Sequence, residues 1–230
     1  MLEIRRAKFG SEKVDVILAQ KSSIQADYHQ LYSLEVSKFS SKRAHEFLQG
    51  RTLAHWALGP EKILRDHSGR PQFPKGVQAS LSHSNSFCAL ASSTEVSAIG
   101  VDIEEEISAE QLEQIEPLIL LASESELVRV LGSATLYASL IFSAKESFYK
   151  CYYEDLQRFV DYREAEVVSI NLFTKKIKLV FGQNLISIDY QMGDFGVLTL
   201  AIREKGAEFV AKARQAAVDK VSEYYGEPWG

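Results

Sequence analysis

The residues 99–104, "IGVDIE", alternate apolar and polar, Ile99, Val101 and Ile103 against Gly100, Asp102 and Glu104. That period-two pattern is a half-buried β-strand, and it sets the two carboxylates about 7 Å apart on one face, with a glycine beside them. A solvated sheet edge would explain an isolated pair of this kind. The apolar neighbours argue against a fully wet face, and no Lys, Arg or His stands within ten residues to answer the charge. If a third carboxylate converges there, like charges ~4 Å apart repel by roughly 4 kcal/mol per pair at an effective dielectric near 20. A bound proton or a cation relieves that repulsion. Oxygen donors without His or Cys favour Mg²⁺, which keeps waters and takes phosphate oxygens as further ligands.

A third carboxylate is at hand in "FSAKESFYK", residues 142–150. At 100° per residue, Lys145, Glu146, Tyr149 and Lys150 share one broad helix face. The triplet could form salt bridges in solvent, or its lysines could serve an anion. A third group lies in "KRAHEFLQGRTLAHWAL", residues 42–58. With Arg43 at the origin, Arg51 falls at about 80°, in the middle of the apolar stripe of that helix. A guanidinium there must snorkel, pair, or meet an anionic ligand. His83, in "SLSHSNS", either caps a turn or faces a ligand. Metal, lysines and arginines together are the equipment of phosphoryl-group chemistry.

These groups need a scaffold. The chain has 230 residues, 46% hydrophobic and 25% charged, enough for one large domain or two modest ones with a real core. A net charge of −5 argues against generic binding to nucleic acid or an anionic membrane surface. No apolar run is long enough for a membrane span, and the first twenty residues lack a signal-peptide core. Cys88 and Cys151 show neither metal spacing nor a disulfide framework, which points to a cytoplasmic protein.

The pattern predicts extended chain over 1–20 and a helix from Ser40 or Ser41 to Leu58, stopped by Gly59-Pro60. "HSGRPQFPKG" (67–76) reads as a loop, and two short strands flank the "SHSNS" turn before the acidic strand. Two helical stretches follow, the first interrupted by Pro117, then an antiparallel meander from Glu166 to Arg203 and an amphipathic helix after Gly206. Helices mixed with antiparallel strands make the class α+β.

"RAHEFLQGR" (43–51), "GRPQFP" (69–74), "SLSHS" (80–84), "IGVDIE" (99–104) and "FSAKESFYK" (142–150) occur in the order found in the Sfp-type 4'-phosphopantetheinyl transferases. The chain resembles that family over roughly residues 40–155, nearest its enterobactin-synthase component D group, where Phe142 commonly replaces a tryptophan. The resemblance implies two similar α+β halves, 1–106 and 107–230, related by a pseudo-twofold axis in a monomer, with the active site in the cleft between them. It implies Mg²⁺-dependent transfer of phosphopantetheine from coenzyme A to a serine of an apo acyl or peptidyl carrier protein. Asp102, Glu104 and Glu146 would hold the metal, Glu104 directly or through water, with Glu146 also the general base. Lys145 and Lys150 would hold the diphosphate, Lys150 countering charge as it splits. Arg43, Arg51, Ser82 and His83, with Arg65 as a further phosphate contact, would bind the 3'-phosphate and adenine end. A non-catalytic module binding coenzyme A or a carrier protein is the alternative, and the intact acidic set with Lys150 argues against it. Another metal-dependent phosphotransferase would be expected to carry a P-loop or kinase signature, and none is present.

Overall fold

A computed structural model describes residues 2–25, 28–158 and 160–211. The first sheet contains β1 (Ile4–Ala7), β2 (Asp15–Gln20), β3 (Gln78–His83) and β4 (Phe87–Ser93), in the order β1-β2-β4-β3. Between β2 and β3 run a short α1 (Ser33–Val36) and the long α2 (Ser41–Leu58), which begins where Ser40 Oγ accepts the Arg43 amide and ends at Gly59. The second sheet contains β5 (Ala98–Glu104), β6 (Ala165–Asn171), β7 (Lys176–Phe181), β8 (Asn184–Gly193) and β9 (Gly196–Arg203), in the order β5-β9-β8-β7-β6. The helices α3 (Ala109–Ile119), α4 (Ala122–Leu131) and α5 (Ala134–Leu156) separate β5 from β6. Every strand pairing in both sheets is antiparallel. Pro117 does not end α3, which runs on to Ile119; the chain breaks at Leu120 and Leu121 before α4.

Alternation along the strands builds the layers. Ile99, Val101 and Ile103 pack with Leu198 and Leu200 against Val16, Leu18, Ala89 and Ala91, so one apolar layer joins the two sheets. Leu53 of α2 closes the far side of the first sheet over Ile17, Cys88 and Leu90. Ile141, Ala144 and Phe148 of α5 close the far side of the second over Ile177, Leu179 and Ile188.

β5, which precedes the expected division at residue 106, is hydrogen-bonded into the second sheet, Asp102 opposite Thr199 and Glu104 opposite Val197. Both neighbours of β4 are already taken, by β2 and β3, so β5 cannot pair with β4, the strand it follows. Side chains join it to β3 instead. Ser80 Oγ accepts the Val101 amide at 3.0 Å, Ser82 Oγ donates to Asp102 Oδ1 at 2.7 Å, and Ser84 Oγ donates to Glu105 Oε1 at 3.1 Å. Ser80 and Ser82 on one face of β3, with Ser84 just past its end, thus form a row of serines that stitches the edges of the two sheets together.

The glycine of "IGVDIE" now has a reason. A Cβ on Gly100 would lie 1.8 Å from the Ser147 carbonyl oxygen and 2.7 Å from the Cys151 nitrogen. Only glycine lets the α5 backbone approach β5 this closely, and that approach brings Glu146 and Lys150 over the acidic face. Of the helix expected after Gly206, residues 207–211 are not helical and the remainder lies outside the described residues. Phe209 packs on Phe148, Tyr152 and Phe181.

Candidate active site

Asp102 is 2% exposed, and its Oδ1 accepts from Lys150 Nζ at 2.6 Å and from Ser82 Oγ at 2.7 Å. Lys150 also donates to Ser82 Oγ at 3.1 Å and to the Val101 carbonyl at 3.2 Å. Asp102 Oδ2 is buried with no hydrogen-bond partner among the described residues. An orphaned carboxylate oxygen beside further acids is what a cation would complete. Glu104 shares the face, and burial, reinforced by the Asp102 charge, pushes its pKa up to about 8; Lys150 opposes the rise while Glu146 and Glu105 add to it. Glu146 Oε1 accepts the Tyr162 hydroxyl at 2.5 Å. Burial first, then this bond and the charge of Glu146, with Asp102 and Glu104 adding to it, raise the Tyr162 pKa, so the phenol stays a donor.

The charges of Asp102 and Glu146 thus both act on Glu104. Lys150 is the cation they face in this structure, and no three His, Cys, Asp or Glu side chains among the described residues are grouped as a metal site. By donor chemistry the residues fit Mg²⁺: they are all oxygen ligands, one carboxylate oxygen is unsatisfied, and one carboxylate holds its proton unusually strongly.

Glu104 gives a testable pH dependence. The folded protein keeps its proton to about 8, while the unfolded chain releases it near the ordinary value of 4.5. Between those values the folded state binds more protons, so this group's contribution to stability falls as pH rises through the window. Denaturant titrations of the metal-free protein from pH 5 to 9 are expected to show Glu104→Gln gaining on wild type toward high pH. A constant difference between the two proteins would disprove the shift.

Lys145, expected at the diphosphate, is instead 2% exposed here, and its ammonium donates to Glu124 Oε2 at 2.6 Å and to the Ile119 carbonyl at 2.8 Å. Glu124 in turn accepts the amides of Leu121 and Val167. Burial pulls the lysine's pKa down and the carboxylate's up, and the contact between them opposes both shifts. One residue of helix separates Lys145 from Glu146, and that 100° step turns it onto the α3–α4–β6 side. The Ser82 hydroxyl donates to Asp102 and accepts from Lys150.

The predicted anion-binding residues form two groups. Burial lowers the His83 pKa; Lys21, Arg43 and Lys150 act in the same sense and Glu46 opposes them. Arg43 pairs with Glu46 at 3.8 Å. Arg51 sits instead with Arg65. It is 5% exposed, its guanidinium lies 4.5 Å over the Phe47 ring, and its Nε has no partner. Burial brings its pKa down to about 10; Tyr32 and Glu35 act against the fall and Arg65 adds to it. Arg65 donates to the Gly69 carbonyl and lies 5.3 Å over Phe39. Sequence reasoning missed Lys21, Tyr162 and Glu105. For Glu105 the run of three acids at 104–106, of which it is the middle one, was a signal; for the other two none existed.

Two recesses adjoin these groups. One of about 730 Å³ is lined by the 66–77 loop, the start of β3, and Tyr149, Lys150 and Tyr153 of α5. The other, about 290 Å³, is lined by His83, Glu46 and Glu104 among others. No helix among the described residues is long and apolar enough to cross a membrane.

The family model of the 4'-phosphopantetheinyl transferase superfamily matches residues 98–202, and that of the 4'-phosphopantetheinyl transferase N-terminal domain matches 32–93. Enterobactin synthase component D of Escherichia coli O157:H7 is 31% identical over 167 residues, 69% of this chain and 77% of its own length. 4'-Phosphopantetheinyl transferase Svp of Streptomyces mobaraensis is 31% identical over 142 residues, 57% of each chain. 4'-Phosphopantetheinyl transferase Npt of Nocardia iowensis is 28% identical over 137 residues, 57% of this chain and 62% of its own. The match thus spans less than two thirds of the length of the latter two relatives.

Proposed function

We propose that this chain, which belongs to the 4'-phosphopantetheinyl transferase superfamily, transfers the phosphopantetheine group of coenzyme A to a serine of an apo acyl or peptidyl carrier protein. The observation that carries the reading is the meeting of Asp102, Glu104, Glu146 and Lys150 where the two sheets join, all within the matched 98–202 segment. The serine oxygen bonds to the β-phosphorus, the bond from that phosphorus to the bridging oxygen breaks, and 3',5'-ADP leaves. Glu146, oriented by Tyr162, takes the serine proton. Lys150, released from Asp102 when the diphosphate arrives, supplies positive charge to oxygens that become more anionic as the bridge breaks. Asp102, Glu104 and Glu146 would hold Mg²⁺, which neutralises diphosphate charge when bound.

His83 and Arg43 take the 3'-phosphate and adenine end, with Arg51 and Arg65 as the second pair of cations on that side. One physical feature supports an anion there. The first turn of α2 carries no acid, although a helix N-terminus favours negative charge. The pseudo-twofold relation of two halves belongs to the same proposal and rests on each sheet having one long helix, α2 or α5, packed on it. So do the monomeric state and a cytoplasmic setting.

Intact-mass spectrometry of apo carrier proteins incubated with this protein, Mg²⁺ and either coenzyme A or dephospho-coenzyme A tests the reading. Phosphopantetheine addition is expected, with coenzyme A preferred. Arg51→Ala should lose much of that preference, since a charge-assisted hydrogen bond to phosphate is worth about 1.5–3 kcal/mol. No mass increase on any carrier would refute the transferase reading, and an unchanged preference in Arg51→Ala would remove Arg51 from the cofactor site.

A further inference from the structure

We propose that Glu105 is a positioning residue whose carboxylate clasps the tip of the β3–β4 hairpin and so sets the spacing across the cleft between His83 and the Asp102–Glu104 face. The inference rests on the transferase reading above. Glu105 Oε1 accepts the Ser86 amide at 2.7 Å and the Ser84 hydroxyl at 3.1 Å, and Oε2 accepts Asn85 Nδ2 at 3.4 Å. The tip it grips is a closed turn, with the Ser84 amide bonded to the Phe87 carbonyl and the Phe87 amide to Ser84 Oγ. The Lys21 amide donates to the Ser86 carbonyl at 2.8 Å, tying the tip to the end of β2.

Position gives the clasp its consequence. Ser84 directly follows His83, and Glu105 directly follows Glu104. The two residues bonded across the seam are thus the chain neighbours of the two that face the cleft, and all four line the recess of about 290 Å³. His83 belongs to the first sheet and Glu104 to the second. A cofactor that touches both must find them at a fixed separation. Ser80 and Ser82 join the strands farther back, so the Glu105 bonds are the part of the seam that fixes the hairpin tip itself. The role needs acceptor oxygens, not charge, and that separates it from metal binding or proton transfer.

The test compares Glu105→Ala with Glu105→Gln in the full chain. It measures kcat and KM for coenzyme A, calorimetric binding of 3',5'-ADP without divalent metal, amide exchange at Ser86, and melting temperature. Glu105→Ala is expected to expose the Ser86 amide to exchange, weaken 3',5'-ADP binding, and lower kcat/KM by about 10–100-fold through misplacement of the reacting groups. Glu105→Gln keeps an oxygen for Ser86 and Ser84 and is expected to retain most of the wild-type value on all three readouts. Should Glu105→Ala prove poorly folded, Ser84→Ala and Asn85→Ala, each removing one donor, are expected to produce smaller losses of the same kind. Equal losses in Glu105→Ala and Glu105→Gln would overturn the proposal in favour of a charge-dependent role. Lost Ser86 protection with unchanged kcat/KM and binding would overturn it as well. Failure of wild type to modify any carrier would instead refute the transferase reading, and the positioning role with it.

Discussion

Asp102→Ala is expected to lower kcat/KM for carrier modification by at least about a thousandfold, ~4 kcal/mol of transition-state stabilisation. The size follows from how much converges on one carboxylate. Oδ1 fixes Lys150 at 2.6 Å and Ser82 at 2.7 Å, while Oδ2 is buried without a partner. Removing the side chain deletes the buried acid to which a cation would bind and frees Lys150 from its only ion-pair partner among the described residues. Asp102→Asn keeps the shape and the bond from Ser82 but lacks the charge, so it should be nearly as inactive while melting closer to wild type. Glu104→Ala should be milder if its contact with the metal runs through water. Steady-state rates at saturating coenzyme A, set beside thermal melts, check all three variants. Turnover by Asp102→Ala within a few-fold of wild type would remove the residue from the reaction.

Lys145→Ala is expected to cost about 3–5 kcal/mol of stability, the usual penalty for stranding one member of a buried ion pair. Glu124 is wholly inaccessible and binds the amides of Leu121 and Val167 as well as Lys145, so one carboxylate ties α4, α5 and β6 together. Without the ammonium, that carboxylate would be left in the interior with its charge unpaired. An apolar pair of similar volume, Lys145→Met with Glu124→Leu, should recover part of the loss, because two desolvated charges disappear together; the Leu121 and Val167 amides remain uncapped and limit the recovery. Denaturant titration of the two single variants and the double variant gives the coupling energy. If Lys145→Ala melts like wild type and instead raises KM for coenzyme A, the diphosphate role implied by the motif returns.

The two predictions mark the line between what the sequence and the structure each decide. Periodicity along the chain determines which residues share a face. The alternation in "IGVDIE" therefore placed Asp102 and Glu104 side by side, and the apolar stripe of α2 located Arg51 at a buried position, where it is 5% exposed. Helix-start chemistry put the beginning of α2 at Ser40 or Ser41, and alternation with turn residues found the late strands. The family, too, was legible, because its motifs are short local strings whose order survives without any knowledge of the fold.

Partners distant in sequence were decided by tertiary structure alone. Helix geometry puts Lys145 and Lys150 on one broad face, yet that face is wide enough for its two margins to meet different neighbours. Glu124 captures Lys145 at one margin and Asp102 captures Lys150 at the other. The same limit hid the seam. The spacing of Ser80, Ser82 and Ser84 says that they line one side of β3 and its continuation, but not that the edge of β5 lies there, because side-chain alternation carries no information about which strand comes alongside. Tyr162 reaches Glu146, and Glu105 reaches the hairpin tip, through contacts of the same long-range kind. Local pattern selects the face of each element, and the packing of sheets and helices selects what that face meets.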